Sequence, residues 1–124
     1  MFKVLVLVVV SFLSINNVAA TSLMELVEEK KFSKAITKVE SGAELNEKHW
    51  SGKYTFDLVT EEMYFQYYSP KKENYETIVK LASLMIEKKA SFSHAILYVA
   101  GTSEVELLKE LVKNKEILEF RSSS

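Results

Sequence analysis

Beyond its first twenty residues, the chain carries apolar side chains at helical spacing in one short segment after another, and almost nothing that favours strands. Phe32, Ala35, Ile36 and Val39 recur at i, i+3, i+4 and i+7. Tyr75, Ile78, Val79, Ala82, Met85 and Ile86 repeat the pattern with Glu and Lys on the far side. The 124 residues contain only 3 glycines and 1 proline, so turns are few and helices are favoured. Short helices of this kind are marginal alone and need neighbours to bury their apolar faces.

Punctuation divides the helical pattern into pairs. Ser22 followed by Glu25 has capping-box spacing and opens a first helix whose apolar face is Leu23, Leu26 and Val27. Lys30 and Lys31 break that stripe, and Gly42 stands where a C-terminal glycine ends the second helix. Periodicity lapses from Ala43 to Tyr54, where Asn46, Ser51 and Gly52 are turn formers. A third helix is expected from Thr55 through Phe56, Val59, Met63 and Tyr67, and Pro70 forces a break after it. The long helix from Tyr75 follows. A brief one runs over Ala95, Ile96, Val99 and Ala100 to Gly101. Ser103 and Glu106 then open a last helix with Val105, Leu108, Leu111 and Val112 expected inward. The expected fold class is all-α: a short solenoid of about three antiparallel helix pairs, each burying its face against the next.

Residues 1–20 carry a different signal. Met1 to Lys3 is a short positive start, Val4 to Val10 is an aliphatic run extended by Phe12 and Leu13, and Val18-Ala19-Ala20 ends in small residues. That is the order of a secretory signal peptide, with cleavage expected after Ala20. The apolar run is too short to span a hydrocarbon core of about 30 Å as a helix. The domain is expected over 21–120, with a disordered tail at 121–124. No second long apolar run follows, so no membrane insertion is expected after cleavage, and the location is expected to be periplasmic or secreted. With no cysteine, neither disulfides nor a lipid-bearing cysteine contributes, and stability must come from a packed core.

The segment from Ser41 to Val59 resembles the junction between two ankyrin repeats. In that family one helix ends in Gly-Ala-Asp-Val-Asn, a hairpin finger with Asp-x-x-Gly follows, and Thr-Pro-Leu-His-Leu-Ala opens the next helix. Gly42, Ala43, Leu45, Asn46, Gly52 and Leu58 fall on matching positions, while Tyr54-Thr55-Phe56-Asp57 departs from Thr-Pro-Leu-His. Leu84 to Phe92 resembles the helix ending again, with Lys89 in the glycine position, and between the helices of the middle pair the chain is about ten residues longer than the family pattern. A stack of helical hairpins unrelated to that family is the plainer alternative.

The resemblance implies protein binding through the finger and the face made by the first helix of each pair. On these positions the finger is His49 to Lys53, and His49, Trp50 and Lys53 are candidate contacts. Trp50 either projects for a partner or folds back onto the next unit. Tyr64, Tyr67 and Tyr68, with Phe65 between them, wrap too much of one helix to face a single core. They either form a recognition surface or fill the gap left by the longer pair.

Chemistry is sparse. The 2 histidines, His49 and His94, lie far apart and have no metal-ligand spacing. Glu28-Glu29 and Glu61-Glu62 are adjacent acids whose side chains diverge on a helix. No phosphate-cradling glycine loop, nucleophile elbow or strongly basic face is present. The expectation is therefore a non-enzyme that takes no cofactor, metal or nucleic acid and is monomeric when unbound. It would bind one protein partner, as an inhibitor or immunity protein of a periplasmic enzyme or, alternatively, as a secreted effector of a host protein.

Overall fold

The computed structural model describes residues 21–123, with side chains described through Lys115. The expected leader, residues 1–20, lies outside the described residues. The described chain is all-helical: α1 (Leu23–Glu28), α2 (Phe32–Glu40), α3 (Thr55–Tyr68), α4 (Tyr75–Glu87), α5 (Ala95–Ala100) and α6 (Val105–Ser123). The last helix continues into the segment assigned above to a tail.

Three helices end in the same way. At α2, the Gly42 N–H donates to the Val39 carbonyl at 3.1 Å and the Ala43 N–H to the Lys38 carbonyl at 3.3 Å. This is the Schellman arrangement, and it needs a left-handed residue after the cap, supplied by Gly42 at φ 87°. Lys30 and Lys89 occupy the equivalent places after α1 and α4, at φ 61° and 64°. The Lys31 N–H reaches the Leu26 carbonyl, and the Ala90 N–H reaches that of Met85. Lys89 thus takes the conformation that the glycine position demands, although it has a Cβ.

Between α2 and α3 the chain makes a narrow hairpin. The His49 N–H donates to the Lys53 carbonyl at 2.7 Å, the Gly52 N–H returns to His49 at 2.9 Å, and Lys48 bridges Tyr54. Gly52 at φ 88° sits in the bulge position of a three-residue hairpin loop, with Trp50 and Ser51 at its tip. No extended sheet accompanies the finger among the described residues.

The helices pack as neighbours in series. α1 lies against α2 and α3, α3 against α4 and α5, α4 against α2 and α6, and α5 against α6. Among the described residues, neither helix of the first pair approaches either helix of the last. The core is continuous through this arrangement: Leu23, Phe32 and Val39 at one end, Phe56, Met63, Ile78 and Met85 in the middle, Val99 and Leu111 at the other. The extra length of the middle pair enters its first helix, for α3 has 14 residues where α1 and α5 have 6 each.

The inward face of α6 differs from the expectation. Val105 and Val112 are exposed, whereas Leu107 and Leu111 are buried. Asn114, on the same face as Leu107 and Leu111, is also buried and donates from Nδ2 to the Ile86 carbonyl at 3.5 Å. Leu108 packs against the core and Leu111 lies in it, both as expected, so the inward face is shifted only in part, with Leu107 and Asn114 in the places expected of Val105 and Val112. The opening of α6 also differs. The helix starts at Val105, one residue past the place the Ser103 cap requires, and Thr102 Oγ1 instead accepts the Glu104 N–H at 3.3 Å. In α5, Ala95 and Val99 are buried as expected, but Ala100 is exposed.

Candidate functional site: the finger and the inner helix face

Asp57 fixes where the finger and the inner helices sit. It is fully buried in the first turn of α3, where Oδ2 accepts the Tyr54 N–H at 2.9 Å. The same carboxylate crosses to the next unit. Oδ1 accepts the His94 N–H at 2.8 Å and the Ala95 N–H at 2.9 Å; the Ser93 N–H lies 3.0 Å from Oδ1 and the Ser93 hydroxyl 2.9 Å from Oδ2. One side chain thus accepts from N–H groups at the starts of two helices, α3 and α5, that are separated in the chain by α4. Asp57 provides helix-opening bonds and ties α3 to α5. A second tie lies in the loops, where Asn46 Oδ1 accepts the Ser91 N–H at 2.8 Å.

The finger stands on this base, and Trp50 at its tip is 92% exposed. It does not fold back: its ring lies 4.9 Å from the imidazole of His49, on its own hairpin. His49 is half-buried, with Nδ1 sharing a proton with the Ser51 hydroxyl at 2.8 Å and Nε2 4.0 Å from Glu28 of α1. Lys53, on the opposite arm, points inward. Its Nζ donates to Glu61 Oε2 at 2.5 Å and to the Tyr98 hydroxyl at 3.2 Å, and the Tyr98 hydroxyl donates to the same carboxylate at 3.0 Å. The bonds to Glu61 and then to Tyr98 hold the Lys53 ammonium above its ordinary range, despite opposing desolvation.

From Tyr98 an aromatic ribbon runs along the inner face. Tyr98 meets Tyr64 at 6.2 Å, Tyr64 meets Phe65 at 5.9 Å and Tyr68 at 5.0 Å, and Tyr68 meets Tyr67 at 5.0 Å. Members of the ribbon differ in exposure. Tyr64 is half-buried against Gly101, where a Cβ would stand 2.5 Å from its ring, so only glycine fits beneath it. Tyr67 is half-buried between Tyr75 at 5.9 Å and Lys72, whose ammonium lies 4.8 Å from the ring centre. Phe65 and Tyr68 face solvent at 56% and 63%, although the Tyr68 hydroxyl is tied to the Gly101 carbonyl at 2.7 Å. Leu97, the residue before Tyr98 on α5, is 73% exposed.

The aromatic run divides by exposure. Tyr64 and Tyr67 are half-buried against Gly101, Tyr75 and Lys72, while Phe65 and Tyr68 are exposed. Lys53, Tyr64, Tyr67 and Tyr68 share the one ribbon; His49 and Trp50 stand apart from it on the finger. Sequence reasoning missed Asp57, Glu61 and Tyr98. Glu61 carried a legible signal, since it stands one helical turn before Phe65 on the outward side of α3.

Among the described residues, no group of His, Cys, Asp and Glu is placed to hold a metal ion. No described helix is long and apolar enough to cross a membrane. His94 lies at the start of α5, with Nδ1 2.9 Å from the Ser93 hydroxyl, far along the chain from His49. No family model, curated protein or solved structure matches this chain.

Proposed function

We propose that the chain is an exported, ankyrin-like stack of three helix pairs that binds one protein partner through its finger tip and the inner face of α3 and α5. The observation that carries this reading is Trp50: a tryptophan 92% exposed on a hairpin whose Lys53 arm is bonded to Glu61 of α3 and Tyr98 of α5. A folded protein gains nothing in its own stability from holding that ring in water, whereas large aromatic side chains dominate many protein interfaces. Phe65, Tyr68 and Leu97 add apolar surface on the helix face, with tyrosine hydroxyls at its edge. The nearest-neighbour order of the helices supports the solenoid part of the proposal, together with the three repeated helix endings and the finger between α2 and α3.

Export rests on the charge, apolar run and small residues of positions 1–20. A small binding module sent out of the cytoplasm without an active site suits an inhibitor or immunity protein of a periplasmic enzyme, a step that rests on analogy between folds. The test expresses the complete sequence with a C-terminal tag, locates the processed chain by fractionation, and purifies it with whatever it holds. One stoichiometric partner is expected from the envelope fraction, and Trp50→Ala is expected to weaken that complex by more than ~1 kcal/mol while leaving thermal stability unchanged. Equal affinity in Trp50→Ala and in Tyr68→Ala would place the contact surface elsewhere. Recovery of the processed chain from the medium would favour the effector role over the periplasmic one.

A further inference from the structure

The finger is a short hairpin with few hydrogen bonds of its own, and an isolated two-stranded hairpin is marginally stable in water. Its orientation must therefore be set from outside. One arm ends in Lys53, and the groups that receive it belong to two different units: Glu61 on α3 and Tyr98 on α5. The three side chains close a triangle, since Tyr98 also donates to Glu61 and the Lys53 ammonium lies 5.6 Å from the Tyr98 ring centre. Lys53 and Glu61 are each only 27% exposed, so the pair is partly shielded from solvent screening. On the other arm, His49 lies 4.0 Å from Glu28 of α1.

We infer that Lys53, Glu61 and Tyr98 form a latch that locks the finger onto the inner face across two units, so that Trp50 is presented as a rigid knob rather than on a swinging loop. Its value for binding rests on the function proposed above, because a tip already held in place loses less freedom on contact with a partner. The latch itself does not rest on that reading, and it can be tested with no partner present.

The chain contains 1 tryptophan, so its fluorescence reports on the finger tip alone. Time-resolved anisotropy of Trp50, with amide order parameters over His49 to Lys53, measures finger motion on the nanosecond scale natural to loops. The experiment uses the purified product of the complete sequence, with circular dichroism to confirm equal helix content. In Lys53→Met and in Glu61→Gln the amplitude of fast depolarisation is expected to rise roughly twofold, with order parameters falling over the hairpin. Lys80→Met, which removes an exposed cation from α4, is expected to change neither. Tyr98→Phe removes one corner of the triangle and should give an intermediate rise. Fast amplitudes equal to wild type in both Lys53→Met and Glu61→Gln would overturn the latch, as would an equal rise in Lys80→Met. A rise confined to the latch variants would sustain it even if no partner were found.

Discussion

At the scale of single residues, two kinds of position carry more than their share. Asp57 is buried and receives hydrogen bonds from Tyr54, Ser93, His94 and Ala95. Truncating it leaves the buried Ala95 N–H and the part-buried donors of Tyr54, Ser93 and His94 without their acceptor, and each group left unsatisfied away from water costs about 1–3 kcal/mol. Asp57→Ala is expected to lower unfolding stability by about 3 kcal/mol or more in urea melts. Asp57→Asn, which keeps one acceptor oxygen, should lose less. A loss under ~1 kcal/mol in Asp57→Ala would mean that water replaces the carboxylate without penalty. Lys30 and Lys89 are the opposite case. Both are exposed, and both sit at positive φ, where a Cβ costs roughly 1–2 kcal/mol. Glycine removes that cost but adds freedom to the unfolded chain, worth about 0.4–1 kcal/mol against the change. The first effect wins by a margin of about 0.5 kcal/mol, so Lys89→Gly and Lys30→Gly should each raise the denaturation midpoint modestly. A fall in both would show that these lysines make contacts worth more than the backbone strain.

Among the elements, the joint between α4 and the start of α6 is sensitive to alkali. The Tyr75 hydroxyl donates to Glu104 Oε1 at 2.9 Å, and burial first, then that bond, pushes the phenol up to about 12 from 10.0. The folded state thus favours the protonated phenol. Its contribution is complete below about pH 10 and is lost as pH rises toward about 12. Lys53, also raised, adds a loss that begins above its ordinary 10.5. The stability difference between wild type and Tyr75→Phe is expected to be constant below pH 10 and to shrink across that window, read from urea midpoints. A difference that persists unchanged to pH 12 would mean that the phenol is not held protonated by the fold. How much of these elements the sequence disclosed depends on where their information lies. The helices follow from spacing alone, and the finger from Gly42, Asn46 and Gly52. The face of α6 does so only in part, because two stripes overlap on it, sharing Leu108 and Leu111. The stripe that wins is completed by Asn114, a polar residue that counts as inward only once the Ile86 carbonyl is seen opposite. The role of Asp57 is hidden for a similar reason: three of its donor residues, Ser93, His94 and Ala95, lie 36–38 residues along the chain. Nothing local in the sequence decides whether the Trp50 ring turns back onto a neighbour; in the structure it is 92% exposed.

For the whole molecule, the serial arrangement sets how it comes apart. The first pair touches only the middle pair, and so does the last, while α3 and α4 are held from both sides. Units coupled only to neighbours need not unfold together, and the end units are free to open while the rest stays folded. Backbone amides of α3 and α4 are therefore expected to exchange most slowly with deuterium, and those of α1 and α2 faster. Val39 offers a way to test the partition, because it is fully buried on α2 and far from α5 and α6. Val39→Ala removes buried methyl groups at a cost of about 1–3 kcal/mol. If the ends are independent, that cost appears as faster exchange through α1 and α2, with α5 and α6 unchanged. If instead the change speeds exchange equally in all helices, the chain opens as one unit. Asp57 joins α3 to α5 and not to α1, so the first pair is the one that its five donor groups leave unsecured. Loss of the first pair would also remove Glu28 from beneath the His49 arm, leaving the finger tied by the Lys53 triangle, by Thr55 to the Glu47 carbonyl and by Asn46 to Ser91.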